Sequence, residues 1–254
     1  MISAENITVA FGDNVVLHDA SLEIPSSGIV GIVGPNGCGK TTLMRTLYHS
    51  LTPDKGRVKI DGEPLSSFSR KTLAKKLAVV VQEHASDMPM SVAEMVMLGR
   101  LPHQGFSGNP SKEDEAIVAG VLDRVGLLHK ATEDYLVLSG GERQRALIAR
   151  ALAQNSEHIL LDEPTNHLDI HYQHEVLALV AELQGSVGVV LHDLNLAARY
   201  CDSVVILNSN GSIVAQGPPA EVFTPEILEP VYRIRVNRVD IEGEVNLLFS
   251  RAAA

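Results

Sequence analysis

The chain has 254 residues, 45% of them hydrophobic and 20% charged, which suits one large α/β domain and excludes an intrinsically disordered chain. Its formal net charge of −10 argues against a general nucleic-acid binder, which would carry a basic surface. Two cysteines, Cys38 and Cys201, exclude a disulfide framework, and no apolar run approaches the ~18 residues of a membrane-spanning helix.

The opening residues contain Glu5 and no apolar core, so no secretory leader is expected there. Residues 2–33 are predicted to form short strands, with ITVAF and VVLHDASLEI separated by the turn Gly12-Asp13-Asn14. The apolar, β-branched run from Gly28 to Val33 fits a fully buried strand, and a helical pattern follows over residues 40–49. RVKIDG and its neighbours read as a strand pair turning at Asp61-Gly62.

From about Glu83 to Leu138 helical periodicity replaces the β-rich runs. Ser91 with Glu94 three residues later predicts a capping box, and Ser111 followed by acids predicts a second helix start. Between them LPHQGFSGNP is a loop. At His158 the α/β pattern returns, with strands HILLDE and VGVVLHD, a helix around 171–183 between them, and a strand–turn–strand over VVILNSNGSIVAQG. The segment VYRIRVNRVDIEGEVNLLF alternates as a closing hairpin.

Four apolar strands therefore end on residues suited to phosphate chemistry: IVGIVG at Gly34, LAVVV at Gln82, HILL at Asp162-Glu163, and VGVVL at His192. Open parallel sheets bind ligands beyond the carboxyl ends of their strands, so these segments are expected to share one site. Gly34-Pro35-Asn36-Gly37-Cys38-Gly39-Lys40-Thr41 has the form GxxxxGK[ST] between a strand and a helix. Its glycines let backbone N–H groups turn inward onto phosphate, aided by the helix N-terminus. Lys40 is expected at the β- and γ-phosphates, Thr41 on Mg2+, and Thr42 on the α-phosphate side. Asp162 suits Mg2+, and Glu163 is placed to orient and deprotonate an attacking water. An acid pair at a strand end is otherwise often just solvated surface. Gln82 is expected on Mg2+ or the lytic water and His192 on the γ-phosphate, roles that follow from the convergence and not from either residue alone.

Leu138-Ser-Gly-Gly-Glu142-Arg-Gln-Arg145 resembles the signature motif of ABC ATPases. The Gln82 loop, the HILLDEP strand, the Asn166-His-Leu-Asp169 loop and His192 follow in that family's order. The resemblance covers about residues 2–224. It implies one ABC ATPase domain over 1–254 with a P-loop NTPase core, an α/β fold whose mixed sheet is mainly parallel. That core, with an N-terminal antiparallel β subdomain, would occupy 1–82 and 158–230. An inserted α-helical subdomain bearing the signature would span about 83–157, and a C-terminal β extension 231–254.

The resemblance further implies a head-to-tail homodimer sandwiching two ATP molecules. Ser139, Gly140 and Gly141 of one copy would then meet the γ-phosphate held by the other, Asp169 would line the seam, and Phe11 would stack on adenine. A separate permease dimer would dock through coupling helices on the stretch from Gln82 to His103, where Met88, Met90 and Met95 offer adaptable contacts or simply fill the core. A substrate-binding protein would act indirectly, and the chain would lie on the cytoplasmic face of the membrane.

Val96-Met-Leu-Gly-Arg-Leu-Pro-His103 and LHDLNLAARYCD resemble ATPases of iron-chelate importers, with a ferric siderophore as first expectation. Haem, vitamin B12 and a soluble ATPase of iron–sulfur assembly remain as alternatives. Two departures stand out. Glu142 replaces the common glutamine, and a carboxylate there needs distance from phosphate or a partner such as Arg143 or Arg145. Cys38, beside Lys40 and a helix start, is expected to have a depressed pKa, so that alkylation would block turnover and ATP would protect.

Overall fold

The computed structural model describes residues 1–81, 89–104, 109–183 and 185–251. Alternating apolar side chains make β1 (Ile2–Phe11) and β2 (Asn14–Ile24) an antiparallel pair, and Gly12 takes φ 61° at the turn. β3 (Gly28–Val33) is buried along nearly its whole length and runs through the glycine loop into α1 (Lys40–Leu47). β4 (Lys55–Ile60) and the two-residue β5 (Glu63–Pro64) complete a four-stranded antiparallel sheet in the order β2-β1-β4-β5.

The short α2 (Arg70–Lys76), capped by Ser69, leads into β6 (Leu77–Val80). Then come α3 (Val92–Met97), α4 (Lys112–Arg124) and α5 (Gly140–Ala153). The Ser91–Glu94 box forms as expected, and Ser111 closes a second box with Asp114. β7 (His158–Leu161), α6 (Ile170–Ala181), β8 (Ser186–Val190), α7 (Leu194–Tyr200) and β9 (Ser203–Leu207) restore the alternating pattern. β10 (Ile213–Gly217), α8 (Pro219–Val222), α9 (Pro225–Tyr232), β11 (Arg235–Ile241) and β12 (Glu244–Ser250) follow. The hairpin starts later than its sequence alternation indicates. Val231 and Tyr232 instead close α9, whose first position is Pro225, with φ preset for a helix. α2, α7, α8 and α9 have eight residues or fewer and show no clear amphipathic period; α3, shorter than three of them, is marked instead by its Ser91–Glu94 capping box.

The second sheet has the order β10-β9-β3-β8-β7-β6, parallel throughout except for β10. One face packs on the antiparallel sheet and α1, through Ile7, Leu17, Leu43 and Met44. The other meets the helices and the C-terminal hairpin, through Met95, Leu122, Ile148 and Val176. Each large apolar side chain buried in this way contributes about 1.5–3 kcal/mol. Asn195, in the first turn of α7, pins the hairpin: its Oδ1 accepts the Leu247 N–H at 2.8 Å and its Nδ2 donates to the Leu247 carbonyl at 3.2 Å. Among the described residues no helix is long and apolar enough to cross a membrane.

Two contacts fasten the helices together. Arg100 and Asp114 form a buried ion pair at 2.7 Å, and Ser111 donates twice more to the same carboxylate. Arg100, then Ser111, hold the Asp114 carboxyl at about 2. A carboxyl lowered in the folded state stabilises fully above its unfolded value, near 3.8, and loses that contribution as pH falls toward about 2. Asp114→Asn should therefore flatten the acid limb of a stability–pH curve below about pH 4, measured by urea denaturation. At Gly99 a Cβ would lie 2.1 Å from the Arg150 carbonyl oxygen, so Gly99→Ala must push two backbones apart. A loss of about 1–3 kcal/mol in the same assay is expected.

Candidate active site

The sheet order places β3, β8, β7 and β6 side by side, so their carboxyl ends form one continuous edge. Leu191 N–H donates to the Ile32 carbonyl at 3.1 Å and Asp162 N–H to Val80 at 2.8 Å, which carries the ladder to the residues just past the strands. The loop, His192 and Asp162-Glu163 therefore meet at this edge. Gln82, after β6, lies outside the described residues, as does Met88.

A cavity of about 420 Å³ opens there, lined by Asn36, Gly37, Gly39, Lys40, Thr41 and Thr42, with Val16, Glu163 and His192 opposite. Gly39, at φ 98°, ends the loop in a left-handed conformation, and a Cβ there would meet Leu17 at 2.8 Å. No side chain caps α1, so its first N–H groups remain available to an anion. Lys40 is buried and folds back over the loop, donating to the carbonyls of Gly34 at 2.8 Å and Pro35 at 3.1 Å.

Glu163 sits at φ 55°, a left-handed conformation that costs a non-glycine residue about 1–2 kcal/mol. Its carboxylate is held from both sides. His192 Nε2 lies 2.7 Å from Oε1, and Asn166 Nδ2 donates to Oε2. Asp162 is buried, and its Oδ1 has no hydrogen-bond partner among the described residues. Burial first, then the neighbouring Glu163, raises its pKa against the pull of Arg45, Lys40 and His192. The orphaned Asp162 carboxylate oxygen, next in the chain to the cavity-lining Glu163, and the Thr41 hydroxyl in the same cavity lining are hard-oxygen donors of the kind that fits Mg2+.

Ser139, Gly140, Gly141, Asp169 and Phe11 stand apart from the lining of this cavity. Phe11 is 54% exposed at the end of β1, in the hairpin whose β2 carries Val16. Ser139 caps α5 and is exposed, while Gly141 lies under the Tyr172 ring, 2.9 Å from where a Cβ would be. Asp169 caps α6 by accepting the Tyr172 N–H at 3.0 Å. Val16 and Lys130 were not assigned roles from sequence, since an isolated valine or lysine carries no motif; Asn166 stood in the Asn166–Asp169 loop, but its bond to Glu163 was not foreseen.

Two expectations are corrected. Glu142 does find a partner, but it is Lys130, at 2.6 Å; Arg143 donates instead to the Leu138 carbonyl and Arg145 to that of Val125. Cys38 is only 2% exposed, its sulfur packed against Gly34, where a Cβ would lie 2.7 Å away. Burial raises its pKa and outweighs the attraction of Lys40, so the thiol is not an activated nucleophile. Iodoacetamide at pH 7.5 should leave Cys38 unlabelled in the folded chain and label it only after denaturation, as read by mass spectrometry.

Comparison with known proteins agrees with this arrangement. The ABC transporter family model matches residues 17–166. The ferric enterobactin transport ATP-binding protein FepC of Escherichia coli is 40% identical over 243 residues, covering 94% of this chain and 89% of its own length. The hemin import ATP-binding protein HmuV of Pseudomonas putida is 41% identical, covering 93% of this chain and 94% of its own. An inward-facing ABC transporter of metal-chelate type superposes with TM-score 0.84 at 25% identity, over 99% of this chain and 97% of that one. A dimeric bacterial ABC transporter cassette gives 0.75 at 28%, over 86% and 99%. With a glycine loop, an acid pair and a histidine on one sheet edge, and with these relatives, this chain belongs to the ABC transporter family, as an ATP-binding, ATP-hydrolysing subunit.

Proposed function

We propose that the chain powers import of an iron chelate, with a ferric siderophore as the first candidate cargo, through a separate membrane permease. The observation that carries this reading is its 38–41% identity, over more than nine-tenths of its length, to ATP-binding proteins of ferric enterobactin, iron(3+)-hydroxamate, petrobactin and hemin import. Haem is the second candidate, on the strength of the hemin importers in that set. The chain would sit peripherally on the cytoplasmic face. The permease would contact the helical segment, about 83–157, through the stretch that ends near His103.

In this reading ATP lies along the loop with its phosphates on the N–H groups of Gly37 to Thr42. Lys40 exchanges the carbonyls of Gly34 and Pro35 for β- and γ-phosphate oxygens. Phe11 stacks on the adenine, beside Val16. Thr41, Asp162 and Gln82 would hold Mg2+, which when bound neutralises charge on the phosphate oxygens. Glu163 accepts the proton of the attacking water, and Asn166 and His192 keep its carboxylate aimed. His192 also reaches the γ-phosphate as charge develops there.

Ser139, Gly140 and Gly141 would come from a second copy, as the resemblance to ABC ATPases implies, and Asp169 would lie in the seam between copies; their absence from this chain's own cavity lining is in keeping with that. Two ATP molecules then close the dimer and hydrolysis releases it, moving the permease between inward- and outward-facing states.

Glu163→Gln keeps the shape and removes the base. Its ATP turnover should fall by about 10²–10⁴-fold, while size-exclusion chromatography in Mg·ATP finds a stable dimer. Retention of most of the activity would overturn the assignment of Glu163. For the cargo, cells lacking the chain should lose uptake of radiolabelled ferric siderophore and keep uptake of haem; the reverse selects the second candidate.

A further inference from the structure

We propose that Glu142 and Lys130 together set how readily Ser139 engages nucleotide held by a second copy. The inference rests on the sandwich reading above and adds a control to it. Glu142 Oε2 accepts both the backbone N–H and the hydroxyl of Ser139, each at 2.9 Å. Its other oxygen, Oε1, takes Lys130 Nζ at 2.6 Å. Lys130 reaches in from the short 3-10 turn Leu128–Lys130, ahead of α5, and also lies 3.9 Å from Glu133.

A serine hydroxyl has one proton to give. Here that proton goes to a carboxylate, so the hydroxyl offers its surroundings only lone pairs. A phosphate oxygen is itself an acceptor and finds no donor at Ser139 until the hydroxyl turns away from Glu142. Lys130 and the Ser139 donors hold the Glu142 carboxyl at about 2, so it stays ionised at every physiological pH and cannot return a proton.

Lys130 competes for the same carboxylate and offsets its charge. With Lys130 present the grip on Ser139 is loosened, and the negative charge beside an incoming phosphate is partly neutralised. Without it, Ser139 is the carboxylate's remaining donor and the charge is uncompensated. The two residues thus act on the serine in opposite directions.

The test uses the full chain carrying Glu163→Gln, in which ATP-dependent dimers accumulate, and measures the ATP concentration for half-maximal dimer by light scattering. Adding Glu142→Gln keeps an amide oxygen for the Ser139 N–H, so the capping box survives, but weakens acceptance of the hydroxyl and removes the charge. Half-saturation should fall by about three- to tenfold, the scale on which a charge-assisted hydrogen bond exceeds a neutral one. Lys130→Met should raise it by a similar factor, and Lys130→Arg should restore it to within about twofold.

With Ser139→Ala also present, Glu142→Gln should change half-saturation by less than about twofold, because no hydroxyl is left to release. An unchanged or raised value for Glu142→Gln overturns the proposal. So does a full effect that survives Ser139→Ala, which would leave only a distant charge. If Glu163→Gln alone never dimerises with ATP while Ser139→Ala leaves turnover intact, the sandwich reading itself fails and this inference with it. Far-UV circular dichroism confirms that α5 is formed in each variant.

Discussion

The parallel hydrogen-bond ladder through β3, β8 and β7 is the constraint on which the rest of this structure depends. It sets three strand ends at equal height, about 4.8 Å apart, and so fixes the spacing of a glycine loop, a histidine and an acid pair. None of these residues needs a long side chain to reach the cavity, since the sheet has already delivered them. The two faces of the sheet bury separate apolar clusters, and any shift of one strand would expose residues on both. Position at the edge is therefore secured by the whole core.

Within that frame the site holds its charged groups in local compensation. Lys40 rests on loop carbonyls, Glu163 is gripped by His192 and Asn166, and Asp162 Oδ1 has no hydrogen-bond partner among the described residues. The left-handed backbone at Glu163 stores a small strain, and its carboxylate is braced on both sides. Lys40 is held by the neutral carbonyls of Gly34 and Pro35 at the mouth of the glycine loop.

The half-buried segment at the start of α5 is compensated in the same way. Ser139, Glu142 and Lys130 satisfy one another across the start of α5. Tyr172 seals Gly141 from the side, linking this helix to the one that Asp169 caps. At the far end of the chain, Asn195 ties the C-terminal hairpin to the helix that begins just past His192. The hairpin is thereby fastened to the element that positions the histidine.

The sequence by itself determined everything carried by short-range chemistry. The glycine loop, the capping boxes at Ser91 and Ser111, the buried strand at Gly28–Val33 and the acid pair all depend on residues within a few positions of each other, and each is found where its pattern indicates. Helices α2, α7, α8 and α9 were not legible, because they are short and lack the serine–glutamate capping box that marked the equally short α3. Partner choice was not legible either. Glu142 pairs with Lys130, twelve positions away, and not with the adjacent arginines, because a carboxylate takes whichever donor the packed chain aims at it. Cys38 turned out buried for a related reason. The direction of its side chain is decided by close packing against Gly34 under the loop, and burial outweighs the nearby positive charge. Long-range contacts and the low dielectric they create exist only once the tertiary structure has formed, and they set both the pairings and the ionisation of these groups.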